Sequence, residues 1–321
     1  MTALGFPLPF VPQRVLIGAG IHAALGARLQ QARPTLAVRG ALMADITEAD
    51  VAWADTYIGF KRPPHVSSMG NVRWVHSTGA GVDGWLMGPP LEPQLLLTRS
   101  PELFGPMIAE WAVARVFAWQ QQLVSLHEAQ QAGRWAPRDI ARVAGTRAVL
   151  VGTGDIGRSI ATSLSALGVQ CVGVSRSGHS THPAFTAVHG VAALPALLPD
   201  ADWVILSVPD TPDSRGLISR DLLACCRGAV LLNAGRGTVV DEAAIPEALD
   251  AGWLRGAALD VFATEPLPTD SPLWRDARVM VSPHISGLTT VDGAAEGFLE
   301  CMASLARGEL PTWVVDRQRG Y

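Results

Sequence analysis

The chain has 321 residues, 48% of them apolar and 17% charged, with 25 Lys and Arg against 29 Asp and Glu for a formal net charge of −4. That length exceeds what a single hydrophobic core usually organises, so two domains are expected. The near balance of charge leaves no basic excess for nucleic acid and no lysine-rich run for an acidic membrane, and no apolar run nears the ~20 residues of a membrane helix; neither partner is expected.

From the amino end, short apolar strands at 14–17, 35–38, 56–58 and 72–76 alternate with helical stretches such as 21–30, which is α/β wiring without a phosphate fingerprint. A long helix is predicted over 106–132, where Met107, Trp111, Val116, Phe117, Leu123 and Leu126 give nearly two apolar faces. Such a helix is either interdomain or dimer-forming, or plain core. From Arg147 the alternation restarts, with strands predicted at 147–151, 170–174, 203–207, 229–232, 257–260 and 279–281, the spacing of a doubly wound parallel sheet. A last helix is predicted over 288–306. The expected architecture is two doubly wound α/β domains of Rossmann and flavodoxin-like type. The substrate domain takes 1–100 and 289–321, and the nucleotide domain, 101–288 with the long helix, is inserted into it.

The sharpest local signal lies where strand 147–151 turns into a helix carrying Ile156, Ile160 and Leu164. Gly152-Thr-Gly154-Asp155-Ile156-Gly157 is G-x-G-x-x-G in that context. Gly152 permits the tight turn, Gly154 lets backbone approach a pyrophosphate, Gly157 lets helix and strand pack, and the helix N-terminus offers free amides to the anion. The next strand ends in Ser175-Arg176-Ser177, where an NAD-binding protein usually carries an acid. A guanidinium between two hydroxyls suits the 2′-phosphate of NADP, which a carboxylate would repel; a solvated loop arginine is the plain alternative.

Ligands on such sheets bind beyond the carboxyl ends of the strands. Strand 229–232 runs into Asn233-Ala234-Gly235-Arg236-Gly237, strand 257–260 into Phe262-Ala-Thr-Glu265-Pro-Leu-Pro268, and strand 279–281 into Ser282-Pro283-His284-Ile-Ser-Gly287. Arginine, glutamate and histidine at successive strand ends either converge on one crevice or stand apart as surface and structural residues. Metal and serine-nucleophile chemistry have no support, because the histidines lack metal-ligand spacing and no G-x-S-x-G occurs. Cys171, Cys225, Cys226 and Cys301 are irregularly spaced and read as reduced thiols; with no basic n-region before Val11, a cytoplasmic location is expected.

With Ser77-Thr-Gly-Ala-Gly-Val-Asp83, Leu259-Asp260-Val-Phe and Val315-Asp-Arg-x-Arg-Gly-Tyr321 added to these motifs, the chain resembles the D-isomer-specific 2-hydroxyacid dehydrogenases over nearly its whole length, closest to their glyoxylate/hydroxypyruvate reductase A branch. The resemblance implies NADPH-dependent reduction of small 2-oxoacids, glyoxylate to glycolate and hydroxypyruvate to D-glycerate, by a homodimer. Phosphoglycerate or D-lactate dehydrogenases and a dinucleotide-sensing corepressor are the rivals. It implies that Arg236 holds the substrate carboxylate and polarises the carbonyl, that Glu265 pairs with His284, and that His284 gives the proton. A carboxylate partner favours the imidazolium, the form able to do so.

It further implies cofactor contacts from Gly152, Gly154, Asp155, Ile156, Gly157, Ser175, Arg176, Ser177, Val208, Pro209, Ser214, Asn233, Ala234 and Gly287, and from Asp260 either a nicotinamide contact or ordering of the site. Gly79, Ala80 and Gly81 are expected to receive the substrate carboxylate on backbone amides, and Asp83 to act as a structural cap. Two segments depart from the family pattern: Arg99-Ser100-Pro101, and Phe60-Lys61-Arg62 ahead of Pro63-Pro64. The added positive charge either favours a second acidic group on the substrate or faces solvent. Solvent is the expectation for Lys61; for Arg99 both stand.

Overall fold

A computed structural model describes residues 6–100 and 104–320, so Pro101 and Tyr321 lie outside the described residues. In chain order the elements are β1 (Arg14–Gly18), α1 (His22–Ala32), β2 (Ala37–Ala41), α2 (Glu48–Trp53), β3 (Thr56–Gly59), β4 (Trp74–Ser77), α3 (Asp83–Leu86), β5 (Leu96–Arg99), α4 (Phe104–Gln120), α5 (Leu123–Gln131), β6 (Arg147–Val151), α6 (Asp155–Ala166), β7 (Gln170–Ser175), β8 (Ala187–Gly190), α7 (Leu194–Leu197), β9 (Trp203–Leu206), α8 (Arg220–Leu223), β10 (Ala229–Asn233), α9 (Ile245–Asp250), β11 (Leu254–Leu259), β12 (Val279–Val281) and α10 (Val291–Ala306). They form two units: the first from Met1–Leu103 and Thr289–Tyr321, the second from Phe104–Leu288. The α/β class and the two parallel sheets are as expected, and the chain leaves the first unit for the second and returns.

The first unit holds a five-stranded sheet in the order β2-β1-β3-β4-β5. Its inner strands are buried on both faces, as parallel sheets require, and carry Thr56, His76 and Ser77 among their apolar residues. One core joins Val15, Ile17, Ile58 and Trp74 to Phe298, Cys301 and Leu305 of α10; the other gathers Leu16, Tyr57, Val75 and Leu97 around Trp85. Thr290 caps α10 by accepting the Gly293 amide, so this helix starts three residues later than the apolar pattern predicts. Strand β2 is displaced towards Ala41 relative to the predicted 35–38. It is the sheet edge and largely exposed, where Arg39 and Gly40 are tolerated.

The second unit holds seven strands in the order β12-β11-β10-β9-β6-β7-β8. The reversal between β6 and β9 is the topological switch point at which such sheets bind ligands. Strand β8, half-exposed at the margin, adds a seventh to the six read from sequence. The predicted helix over 106–132 is two helices. Gln122 takes a left-handed φ of 52° between α4 and α5, and the break is held by long-range bonds: Gln122 Nε2 donates to the Asp139 carbonyl (2.9 Å) and Gln120 Nε2 to that of Arg142 (3.1 Å). One face of α4 is core, packed on α6 so closely that a Cβ at Gly105 would lie 2.4 Å from Ser159 Oγ. All four cysteines are free thiols, and burial pushes those of Cys171, Cys226 and Cys301 up to about 12. Among the described residues no helix is long and apolar enough to cross a membrane.

Candidate active site

The glycine-rich turn sits at the switch point, and each of its glycines answers a different demand. Gly152 has φ 111°, and a Cβ there would lie 2.6 Å from Ser207 Oγ. At Gly157 a Cβ would come within 2.0 Å of the Gly152 carbonyl, so helix and turn touch at backbone distance. At Gly154 a Cβ would meet nothing within 4 Å. A glycine kept where the protein leaves open space fits a pyrophosphate occupying that space. Gly154 is also the N-cap of α6 and caps with no side chain, so the first-turn amides remain for an anion. Asp155, the one acid in that turn, is neutralised by Arg158 at 2.5 Å.

Strand β7 delivers Ser175, Arg176 and Ser177 to its carboxyl end, with Arg176 exposed and the two hydroxyls 3.3 Å apart. This set fits a 2′-phosphate: two hydroxyls and a guanidinium with no carboxylate among them. Two other expected contacts are occupied within the protein. Ser214 Oγ donates to the Pro209 carbonyl (2.6 Å) and accepts from the Thr211 amide (2.8 Å), bracing the 209–214 turn beside Val208. Gly287 packs against α4, where a Cβ would lie 2.9 Å from the Phe104 ring.

Beyond β10, Asn233 is buried and uses both ends of its amide. Its Nδ2 donates to the Arg236 carbonyl (3.0 Å) and its Oδ1 accepts from the Gly235 amide (3.1 Å), which fixes the Ala234-Gly235 turn and presents half-buried Arg236. Gly237 lies against the next loop so tightly that a Cβ would be 1.8 Å from the Phe262 carbonyl carbon. In that loop the Phe262 amide donates to Glu265 Oε1 (3.0 Å), and Glu265 Oε2 receives His284 Nδ1 at 2.8 Å. Arg236, Glu265 and His284 thus stand beyond the carboxyl ends of three neighbouring strands, linked through Phe262. An ionised carboxylate only accepts, so Nδ1 carries its proton and Nε2, with no partner among the described residues, is left for chemistry.

Asp260 sets the backbone around His284. Fully buried, it accepts from Ser282 Oγ (2.5 Å) and from the amides of Ile285 (3.0 Å) and Ser286 (2.8 Å), while its carbonyl takes the His284 amide (2.8 Å). His284 sits inside that clamp at φ 55°, a left-handed conformation costly for a residue with a Cβ. Both carboxylate oxygens accept bonds from the loop, the geometry an ordering role would use. Trp111 of α4 donates through Nε1 to Ser282 Oγ (3.0 Å), a brace that sequence reading assigned to core or interface. The Ser beside His284 was the available cue.

In the first unit, the amides of Gly79, Ala80 and Gly81 donate to no protein acceptor among the described residues, and Arg99 Nη1 donates to the Ala80 carbonyl (3.0 Å). Arg99 therefore supports this loop instead of facing solvent. Asp83 is the first residue of α3 and the N-cap is Val82, without a side-chain cap, so Asp83 is not the cap expected of it. Lys61 is exposed, as expected, and also lines a cavity with Phe60 and Thr78. No group of acids, histidines and cysteines able to hold a metal occurs among the described residues.

Residues 113–286 match the family model described as D-isomer specific 2-hydroxyacid dehydrogenase, NAD binding domain. Among curated proteins, a glyoxylate/hydroxypyruvate reductase A from Salmonella paratyphi B is 34% identical over 301 residues, 91% of this chain and 94% of that protein. Among solved structures, a D-isomer specific 2-hydroxyacid dehydrogenase from Xanthobacter autotrophicus Py2 in complex with NADPH and MES superposes with a TM-score of 0.89 at 33% identity, covering 97% of this chain and 100% of the other. An NADPH-dependent glyoxylate/hydroxypyruvate reductase from Sinorhizobium meliloti, in complex with NADP and sulfate, gives 0.87 at 28% identity over 96% and 100%.

Proposed function

The chain belongs to the D-isomer specific 2-hydroxyacid dehydrogenase family, and from that we propose that it is an NADPH-preferring reductase of small 2-oxoacids, converting glyoxylate to glycolate and hydroxypyruvate to D-glycerate. When bound, NADPH supplies the hydride that adds to C2 of the 2-oxoacid. Everything else falls to side chains. Arg236 offers a fixed cation to the substrate's carboxylate and to the oxygen on which charge builds, a preorganised donor of the kind that lowers such barriers most. His284 gives the proton from Nε2 to that oxygen, and the carbonyl becomes a hydroxyl; general acid help of this sort is worth roughly 10²–10⁴-fold. Glu265, holding Nδ1, orients the ring and fixes which nitrogen faces the substrate. At 43% side-chain exposure His284 regains its proton from water. The loop 79–81 is assigned to the substrate carboxylate by its three unpaired amides.

The cofactor end of the proposal rests on Gly154 and on the pairing of Arg176 with two hydroxyls. The chemical end rests on one observation: His284 bonded to Glu265 through Nδ1 with Nε2 left over. The rival reading, a dinucleotide-sensing corepressor-like protein, calls for cofactor binding without turnover, so activity itself is the test. NADPH and NADH oxidation against a panel of 2-oxoacids is expected to show turnover with glyoxylate and hydroxypyruvate and a higher kcat/KM with NADPH. Binding of NADPH with no oxidation by any 2-oxoacid would refute the proposal. A homodimer and a cytoplasmic location complete it.

A further inference from the structure

The first unit carries a cavity of about 360 Å³ at the carboxyl edge of its sheet, between the turn after β1 (18–21) and the segment after β3 (Phe60, Lys61). In the order β2-β1-β3 the chain runs off in opposite directions from β1 and β3, so this is the unit's own topological switch point. The volume falls within the ~300–1,000 Å³ of sites that enclose whole small molecules. Glyoxylate has no side chain and hydroxypyruvate only a hydroxymethyl group, so neither fills it.

The cavity adjoins the loop with the unpaired amides. Thr78, on its wall, leads directly into Gly79, and the Phe60 ring lies over Gly79, where a Cβ would be 2.6 Å from the ring. Ala19, Ile21, Met43 and Phe60 make the wall mostly carbon. Among the described residues Lys61 is the one charged side chain lining it, and no carboxylate pairs with its ammonium. The backbone beneath that ammonium is pinned. Tyr57 Oη donates to the Lys61 carbonyl (3.5 Å), Gly84 leaves only 3.0 Å between its Cβ position and that of Lys61, and Arg62 Nη1 donates to the Ser67 carbonyl (2.9 Å). A lone cation on a pinned backbone at an apolar cavity is a recognition element for an anion that arrives on a carbon chain.

Resting on the proposed reduction of 2-oxoacids, we infer that this cavity takes the substrate's side chain, and that the favoured class is 2-oxoacids whose chain ends in a second carboxylate, met by Lys61. The 2-oxo end places its carboxylate on the 79–81 amides, and the chain runs past Phe60 to the ammonium.

The test compares 2-oxoadipate with 2-oxohexanoate, six-carbon acids that differ in ending as carboxylate or methyl, by NADPH oxidation with the full chain. The wild type is expected to favour 2-oxoadipate by about tenfold in kcat/KM, equivalent to about 1.4 kcal/mol. That preference should shrink as salt rises, because Lys61 is exposed to screening. Lys61→Met brings the pair to parity, Lys61→Glu inverts the order, and Lys61→Arg retains it. A wild-type ratio of one, or a preference that survives Lys61→Met, overturns the inference while leaving glyoxylate reduction standing. If the wild type reduces neither acid nor glyoxylate, the underlying function fails instead.

Discussion

Asp260→Asn separates the two roles open to Asp260. The native carboxylate takes a hydroxyl and two amides, all buried. Asparagine keeps one acceptor oxygen and turns an NH2 towards a donor, so a charge-assisted bond is lost and a buried N–H or O–H is left unmade. At ~1–3 kcal/mol for the unsatisfied group and a comparable loss for the bond, about 3 kcal/mol is expected. With ~2–4 °C per kcal/mol for a unit of this size, melting by calorimetry should fall by about 6–12 °C. Without the clamp His284 leaves its left-handed backbone, so kcat should fall far more than the KM for NADPH rises. A variant melting within ~2 °C of wild type, with kcat intact and only NADPH affinity reduced, would refute the clamp and make Asp260 a cofactor contact.

Arg176→Ala should lower the NADPH-to-NADH ratio of kcat/KM by about one to two decades, since one charge-assisted bond is worth ~1.5–3 kcal/mol; an unchanged ratio removes the 2′-phosphate assignment. Gly154→Val should fold normally and lose NADPH affinity in titration calorimetry, whereas Gly157→Ala, at 2.0 Å from a carbonyl, should melt far lower; the reverse pattern would contradict the open space at Gly154. His76 is fully buried between Thr98 Oγ1 (2.8 Å) and Ser100 Oγ (2.7 Å), and burial lowers it to about 3. A base whose pKa is depressed on folding contributes stability above its unfolded value near 6.5 that is lost as pH falls towards 3. Denaturant unfolding of the first unit should therefore lose about 2 kcal/mol between pH 7 and 5. The loss should be smaller in His76→Asn, and equal losses would show that His76 is not its source.

What the sequence made legible follows physical lines. Val149-Leu-Val151 and Val230-Leu-Leu232 are buried on both faces, so their composition alone marks strands. Gly152 and Gly157 carry backbone demands that no residue with a Cβ meets, and Gly154 borders open space. Short or marginal elements escaped: β5 is four residues, and half-exposed β8 has no apolar run. The break at Gln122 has no Gly or Pro to announce it, because the bonds that hold it come from residues 139 and 142. At the site, Arg236, Glu265 and His284 were readable from motifs and strand ends. The clamp of Asp260, the bracing by Trp111 and Arg99, and the position of Lys61 were not, because each depends on a partner distant in sequence or on a cavity that exists only after folding.

The proton donor is tested most directly by single-turnover oxidation of bound NADPH with saturating glyoxylate, wild type against His284→Ala. The expected result is NADPH binding retained and the oxidation rate reduced by ~10²–10⁴-fold, with Glu265→Gln falling between the two. If His284→Ala oxidises NADPH at the wild-type rate, the proton comes from elsewhere and the 2.8 Å pair with Glu265 is structural only.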